Sequence, residues 1–363
     1  MKQKLKYLLI FVPVSFLIYF FLEGSLWTFI TSALAIIPLA MIMNYTIDEI
    51  ADNLGSSWGG LLSVTFGNAT ELIISLFAII NDLLNVVKAA ITGSIIMNLL
   101  LILGFSFFVG GLKNRTQTFD KVVAITNSAM LMLAVTGMLI PAIFYFGSPN
   151  IKTLVLGRLS LGVGAVLFFT YLASLYFTLI IHEQEKNSIS QEEKSYRKKN
   201  STDNKLMKIK SNKKMYKKIL YLLFITITIA IEANILVGSI STISENFNIS
   251  PVFIGIIVLP IIANVAENYT AINMAKMNKI DLSINIAIGS SIQVALLLVP
   301  LLIFISHLIG HPMNVLFNIL EVSSIVMSVL AINVVYLQGK SNWFEGLQLI
   351  AAYLIIAIAF YFA

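Results

Sequence analysis

Gly67-Asn68-Ala69-Thr70-Glu71 and Ala263-Asn264-Val265-Ala266-Glu267 are two versions of one short pattern, each set in a long apolar run. Their residue numbers differ by 196 (264 minus 68), and the same offset carries Glu71 onto Glu267, Gly93 onto Gly289 and Ser94 onto Ser290. A constant offset across two successive apolar segments marks an internal duplication. An odd number of spans between equivalent positions makes the second copy cross a membrane upside down relative to the first. That is the inverted-repeat plan of secondary transporters, whose substrate site lies near the bilayer midplane where the repeats meet.

The composition agrees with a membrane setting. Of 363 residues, 58% are hydrophobic and 12% charged, and the mean hydropathy is +0.89. That is more apolar surface than one water-soluble core can hide. The chain has no cysteine, which excludes a disulfide framework, thiolate metal ligands and cysteine nucleophiles, so a metal must meet oxygen or one of three histidines. The net charge of +6 would suggest a nucleic-acid partner in a soluble protein, but here the placement of the basic residues reads as topology. No nucleic acid is expected as a partner, and no enzyme chemistry or cofactor is indicated.

Apolar windows of about 20 residues predict an all-α polytopic membrane protein of eleven transmembrane helices, at 7–22, 26–44, 59–81, 84–110, 121–146, 154–181, 218–242, 251–275, 281–306, 312–337 and 343–362. Residues 1–25 form an extra first helix, 26–182 the first five-helix repeat (helices 2–6) and 218–363 the second (helices 7–11). Between them, 183–217 is rich in Lys, Asn, Ser and Glu with no apolar periodicity, and reads as a basic linker suited to anionic lipid headgroups. Eleven spans put the N-terminus, this linker and all but three of the 24 lysines and arginines on one side; only Lys88, Lys152 and Arg158 fall opposite. By the positive-inside rule that side is the cytoplasm, and the C-terminus is outside. Lys2, Lys4 and Lys6 before the run Leu8–Leu22 resemble a signal peptide, but no small-residue cleavage site follows, so an uncleaved first helix is expected.

An ionised carboxylate at bilayer depth survives only by facing a cavity, finding a partner or taking up a proton. Glu71 and Glu267 each fall near the middle of an expected apolar helix, three residues after Asn68 and Asn264 and so on the same helical face. Two opposed carboxylates match the charge of one divalent cation. Asparagine carbonyls, hydroxyls and loosened backbone carbonyls complete the six to eight oxygens that suit Ca2+, with Mn2+ as an alternative. Without the cation, the same carboxyls hold protons, and competition between the two is an antiport mechanism in outline. Thr92-Gly93-Ser94-Ile95-Ile96-Met97-Asn98 and Ile288-Gly289-Ser290-Ser291-Ile292-Gln293 open the following helix of each repeat. From them Ser94, Asn98, Ser291 and Gln293 are further cation-site candidates, the amides before the serines because a large amide in an apolar helix needs a specific partner. Asp48 and Glu49 stand past helix 2, where they form either a solvated helix end or a cation entry funnel. Glu232 and Glu321, inside helices 7 and 10, serve proton transfer or pair with polar neighbours. His307 and His311 fall in an external loop.

Gly67-Asn68-Ala69-Thr70-Glu71-Leu72-Ile73 resembles the first signature of the calcium/proton exchangers, the CAX branch of the cation/calcium exchanger superfamily. The similarity continues through Gly59-Gly60-Leu61-Leu62, Phe107-Phe108-Val109-Gly110-Gly111-Leu112-Lys113, Gly289-Ser290-Ser291-Ile292-Gln293 and Ser341-Asn342-Trp343-Phe344-Glu345-Gly346. The resemblance implies an eleven-helix exchanger of a prokaryotic cell membrane, Glu71 and Glu267 as its two Ca2+-binding glutamates, export of Ca2+ driven by proton entry, and flanking helices that slide to expose the site alternately. The second motif departs from the family's usual Gly-Asn-Ala-Ala-Glu-His: Ala263, Val265 and Asn268 replace the Gly, the first Ala and the His. Asn268 in place of a titratable histidine marks a modifier of coupling. Asn234 stands near the place of a glutamate usual early in the seventh helix, with Glu232 two residues before it.

Two other readings stay open at this level. A sodium-coupled calcium exchanger tends to carry Ser or Thr and a Pro beside the acid, and neither motif here has that proline. A non-transporting, degenerate exchanger kept for membrane interactions is the reading from a different class.

Overall fold

Two helices lie in the centre and are the most buried of the spans. In the computed structural model, which describes residues 7–54, 59, 62, 63, 65–147, 153–193 and 204–363, the chain runs through α1 (Phe11–Phe21), α2 (Leu26–Leu54), α3 (Ala69–Ile80), α4 (Leu84–Asn114), β1 (Thr116–Thr118), α5 (Lys121–Phe146) and α6 (Thr153–Glu193). It continues through α7 (Asn204–Gly238), α8 (Ile240–Phe247), α9 (Pro251–Ala263), α10 (Val265–Lys276), α11 (Ile280–Leu308), α12 (Ile319–Gln338), β2 (Lys340–Asn342) and α13 (Trp343–Phe362). In their most apolar stretches α4 and α11 are 72% and 67% buried, against 22% for α6 and 28% for α13. The outer helices therefore turn apolar side chains such as Ile140, Phe169, Leu354 and Ile355 outward. Oil-like residues facing outward around a polar-studded centre is the arrangement of a protein solvated by lipid.

The protein is an all-α polytopic membrane protein. Among the described residues, eight helices are long and apolar enough to cross a bilayer, and the bent pair α9–α10 makes a ninth. The two remaining expected spans correspond to the shorter apolar helices α1 and α3. Eleven therefore stands as a sequence count, and length and composition account for nine of it. The basic segment between the repeats is helical at both ends, since α6 runs on to Glu193 and α7 starts at Asn204; residues 194–203 lie outside the described residues, as do Lys2, Lys4, Lys6, Gly60, Leu61 and Lys152.

The duplication is written into the element boundaries. Adding 196 to the limits of α3 gives those of α10, and adding it to Leu84, the start of α4, gives Ile280, the start of α11. Both central helices contain a π-helical segment at equivalent positions, Met97–Ile102 in α4 and Val294–Leu298 in α11. Each π segment widens the turn and rotates the later part of its helix relative to a regular one, a distortion found mostly at functional sites. A third, Ile254–Val258, lies in α9, where Gly93 of α4 packs directly on the Ile256 backbone in space that a side chain would fill.

Two expected helices are interrupted. The span read at 251–275 breaks at Asn264, with a 66° bend between α9 and α10. In the span read at 59–81, the chain turns at Gly67-Asn68 before α3 begins. Asn68 (φ −94°, ψ 24°) and Asn264 (φ −103°, ψ 13°) occupy nearly the same bridge conformation outside the helical well, one that asparagine tolerates because its side chain competes for backbone hydrogen bonds.

Candidate cation-binding site

Those interruptions move the signature glutamates. Glu71 and Glu267 are not mid-helix: each stands in the first turn of a half-helix, three residues after the asparagine that begins it. At a helix N-terminus the free N–H groups and the macrodipole favour negative charge. Discontinuous helices whose ends point into a midplane site are the usual device of secondary transporters.

The chain supplies its own comparison for the Asn-x-x-Glu spacing, which occurs four times. At α12, Asn318 Oδ1 accepts from Glu321 N at 2.7 Å and Glu321 Oε2 from Asn318 N at 2.8 Å. At α13, Asn342 and Glu345 do the same at 3.0 and 3.1 Å. Both are capping boxes, in which the side chains serve the helix end. Asn68 and Asn264 make no such cap. Their amides reach across to the other repeat. Asn68 Nδ2 donates to Gln293 Oε1 (3.1 Å), and its Oδ1 accepts from Ser290 Oγ (3.2 Å). Asn264 Nδ2 donates to Ser94 Oγ (3.1 Å), and Ser94 Oγ donates to Glu71 Oε1. Asn98 Nδ2 completes the set by donating to Ser290 Oγ (3.1 Å). Each asparagine is thus held by the serine of the opposite repeat, at positions related by the offset of 196.

After these bonds, Glu71 Oε2 and Glu267 Oε2 are buried and have no partner among the described residues. The two carboxyls are near enough to repel when both are charged. Buried acceptors left unpaired cost about 1–3 kcal/mol each, more when ionised, so the arrangement is complete only with a cation between them or protons on them. Among the described residues no group of three or more His, Asp or Glu is arranged to hold a metal ion. The site is two carboxylates amid neutral amide and hydroxyl oxygens, a donor set that suits a hard cation.

Glu71 is buried and Glu267 half-buried. Glu267 lines a cavity of about 330 Å³, together with Asn44, Asp48, Asn285, Ser290 and Gln293. Gly67 borders it at the closest point: a Cβ there would lie 3.1 Å from Glu267 Oε1 and 3.5 Å from Gln293 Oε1. Asp48 accepts from Ser63 Oγ at 3.0 Å and acts electrostatically on Glu267.

Other candidates are placed elsewhere. Ser291 donates to Ala287 O of its own helix at 3.0 Å, so the serine that enters the site is its neighbour Ser290. The offset from Ser94 already marked that residue. Glu49 pairs with Lys218 at 2.9 Å and is absent from the cavity lining. Glu321 serves its capping box and lines a separate cavity with Lys88, which donates to Asn314 at 2.6 Å. Glu232 bonds Ser15 on α1. Asn268 is half-buried, with Nδ2 3.9 Å from Met97 Sδ. His311, in the expected external loop, sits 2.6 Å from Asp82.

Comparison with known proteins places this geometry. The sodium/calcium exchanger protein family matches residues 24–180 and 217–362, leaving out α1 and the basic segment between the repeats. A Ca2+/H+ antiporter of Aphanothece halophytica is 40% identical over 98% of this chain and 95% of its own. The Ca2+/H+ antiporter ChaA of Bacillus subtilis is 37% identical over 92% of this chain and 91% of its own. The solved structure of native YfkE superposes with a TM-score of 0.82 at 33% identity, covering 99% of this chain and all of that one. With paired motifs, broken helices and a cross-bonded carboxylate site all in place, the chain belongs to the sodium/calcium exchanger family, in its calcium/proton exchanger branch.

Proposed function

We propose that the protein is a secondary active Ca2+/H+ antiporter, in which Glu71 and Glu267 hold either one Ca2+ or protons. The observation that carries this reading is the pair of unpartnered carboxyl oxygens, one from each repeat, beside amide and hydroxyl groups that bond across the two repeats. Either occupant neutralises the two acids, so the site crosses the bilayer without net buried charge. An empty, ionised site is costly to move, and that cost enforces exchange. Asn68, Asn264, Asn98, Gln293, Ser94 and Ser290 hold the acids and offer oxygens.

On the orientation given by the basic residues, the end of α2 that carries Asp48 faces the cytoplasm. The Glu267 cavity then opens inward, and Ca2+ passes Asp48, meets Glu267 and finally reaches the more deeply buried Glu71. Export from the cytoplasm, driven by protons entering from outside, follows for a prokaryotic cell membrane. The names of the antiporters from Aphanothece halophytica and Bacillus subtilis support this ion pair. Two oxygens with charge and several without favour Ca2+ over softer metals, with Mn2+ the nearest competitor.

Calcium flux in sealed proteoliposomes under an imposed pH or sodium gradient tests the coupling. Uptake should follow the pH gradient and ignore sodium; the opposite result would assign the sodium-coupled reading.

A further inference from the structure

Glu232 is a buried acid that the exchange site does not use. It lies on α7, fully buried, and its one bonded neighbour among the described residues is Ser15 of α1, also fully buried. The duplication sets it apart: the residue 196 places earlier is Ile36, so this carboxyl has no counterpart in the first repeat. Its partner comes from the extra helix, which has no counterpart either.

The hydrogen-bond distances bear on the protonation of the pair. Ser15 Oγ is 2.7 Å from Val12 O and 2.6 Å from Glu232 Oε1. A hydroxyl has one proton to donate, and a backbone carbonyl can only accept. If Ser15 donates to Val12 O, the short contact with Glu232 needs a proton from the carboxyl. If Ser15 donates to an ionised Glu232, a buried charge is left with Oε2 unpartnered among the described residues. The elements packed on α7 near it are α1, α2, α3 and α8. Of their titratable groups, Tyr19 bonds Glu23, Glu71 is bonded by Ser94, Asp48 by Ser63, and Glu49 pairs with Lys218; Tyr45, Asp52 and Glu245 are the others on these elements.

We infer that Glu232 is a second proton-binding carboxyl, outside the exchange site: it holds a resident proton, donates it to Ser15 and so ties α1 to α7. The order of donation is Glu232 to Ser15 to Val12 O, with every hydrogen used once. The bond joins the extra helix to the helix that packs along α2 at the cytoplasmic cavity, and ionisation would cut it.

Infrared difference spectroscopy of the full chain in lipid vesicles at neutral pH tests this, since a protonated buried carboxyl shows a separate carbonyl stretch. Glu232→Gln should remove one such band while retaining calcium uptake, because the amide keeps a donor toward Ser15. Ser15→Ala should shift that band in frequency, which reports the same bond if Glu232→Gln fails to fold. Calcium addition should leave the band in place while removing the carboxyl signals of Glu71 and Glu267, so this inference and the proposed exchange site fail separately. Absence of a Glu232-dependent band at neutral pH would overturn the inference. So would a Glu232 band that disappears on calcium addition, or loss of uptake by a folded Glu232→Gln protein.

Discussion

Ser290 and Ser291 are adjacent in sequence and opposite in consequence. Ser290 Oγ accepts from Asn98 and donates to Asn68, one of the two asparagines beside the signature glutamates. Ser290→Ala removes both bonds. A lost bond is worth about 1 kcal/mol and a buried amide left unpaired about 1–3 kcal/mol. Ser290 borders the water-accessible cavity, so water replaces part of the loss, and about 1.5–3 kcal/mol remains to loosen Asn68 and Asn98 and the acids they surround. At about 1.4 kcal/mol per decade, that weakens calcium binding roughly ten- to hundred-fold. Ser291→Ala gives up only a bond to Ala287 O within the helix and should stay within about 0.5 kcal/mol, or two-fold. The assay is the calcium-concentration dependence of pH-driven uptake in proteoliposomes. Equal effects of the two substitutions, or a larger one from Ser291→Ala, would refute the assignment of the site.

Gly67→Ala puts a methyl group 3.1 Å from Glu267 Oε1; overpacking of about 1–3 kcal/mol should raise the half-saturating calcium concentration, and an unchanged value would count against Gly67 as the close wall of the site. Glu321→Gln keeps the capping box, so uptake and stability should stay near wild type, whereas lost uptake would make Glu321 a proton carrier. Asp48→Asn removes a solvated charge worth about 1 kcal/mol at close range; it should lower apparent calcium affinity a few-fold at low ionic strength and much less at high salt, and a salt-independent effect would mean that Asp48 binds the ion directly.

The parts of this protein legible in its sequence are those that duplication states twice. Glu71 and Glu267 in matching contexts, with Ser94 and Ser290 at the same offset, mark a candidate two-repeat site in the sequence itself. The backbone at that site was not legible, because an asparagine in an apolar run does not announce whether it ends a helix. Asn68 and Asn264 break theirs, which moves the glutamates from mid-helix to a helix start. The choice between Ser290 and Ser291 turns on about 100° of helical rotation, and π segments beginning at Met97 and Val294 disturb the very phase that a sequence reading must assume. Glu321 was ambiguous for another reason: the Asn-x-x-Glu spacing serves caps and site alike, and only the direction of the asparagine side chain separates them. Asp48 and Glu49, one residue apart, point to a cavity and to Lys218 respectively, again a matter of rotation.

The central claim is that the same two carboxyls hold either calcium or protons. Adding calcium to the purified protein in weakly buffered solution and following proton release measures that substitution directly. The account predicts that calcium binding releases protons, up to about two per ion, one from each acid. Glu71→Gln and Glu267→Gln should each reduce both the release and the binding. Calcium binding without proton release, or release that persists unchanged in the two variants, would contradict it.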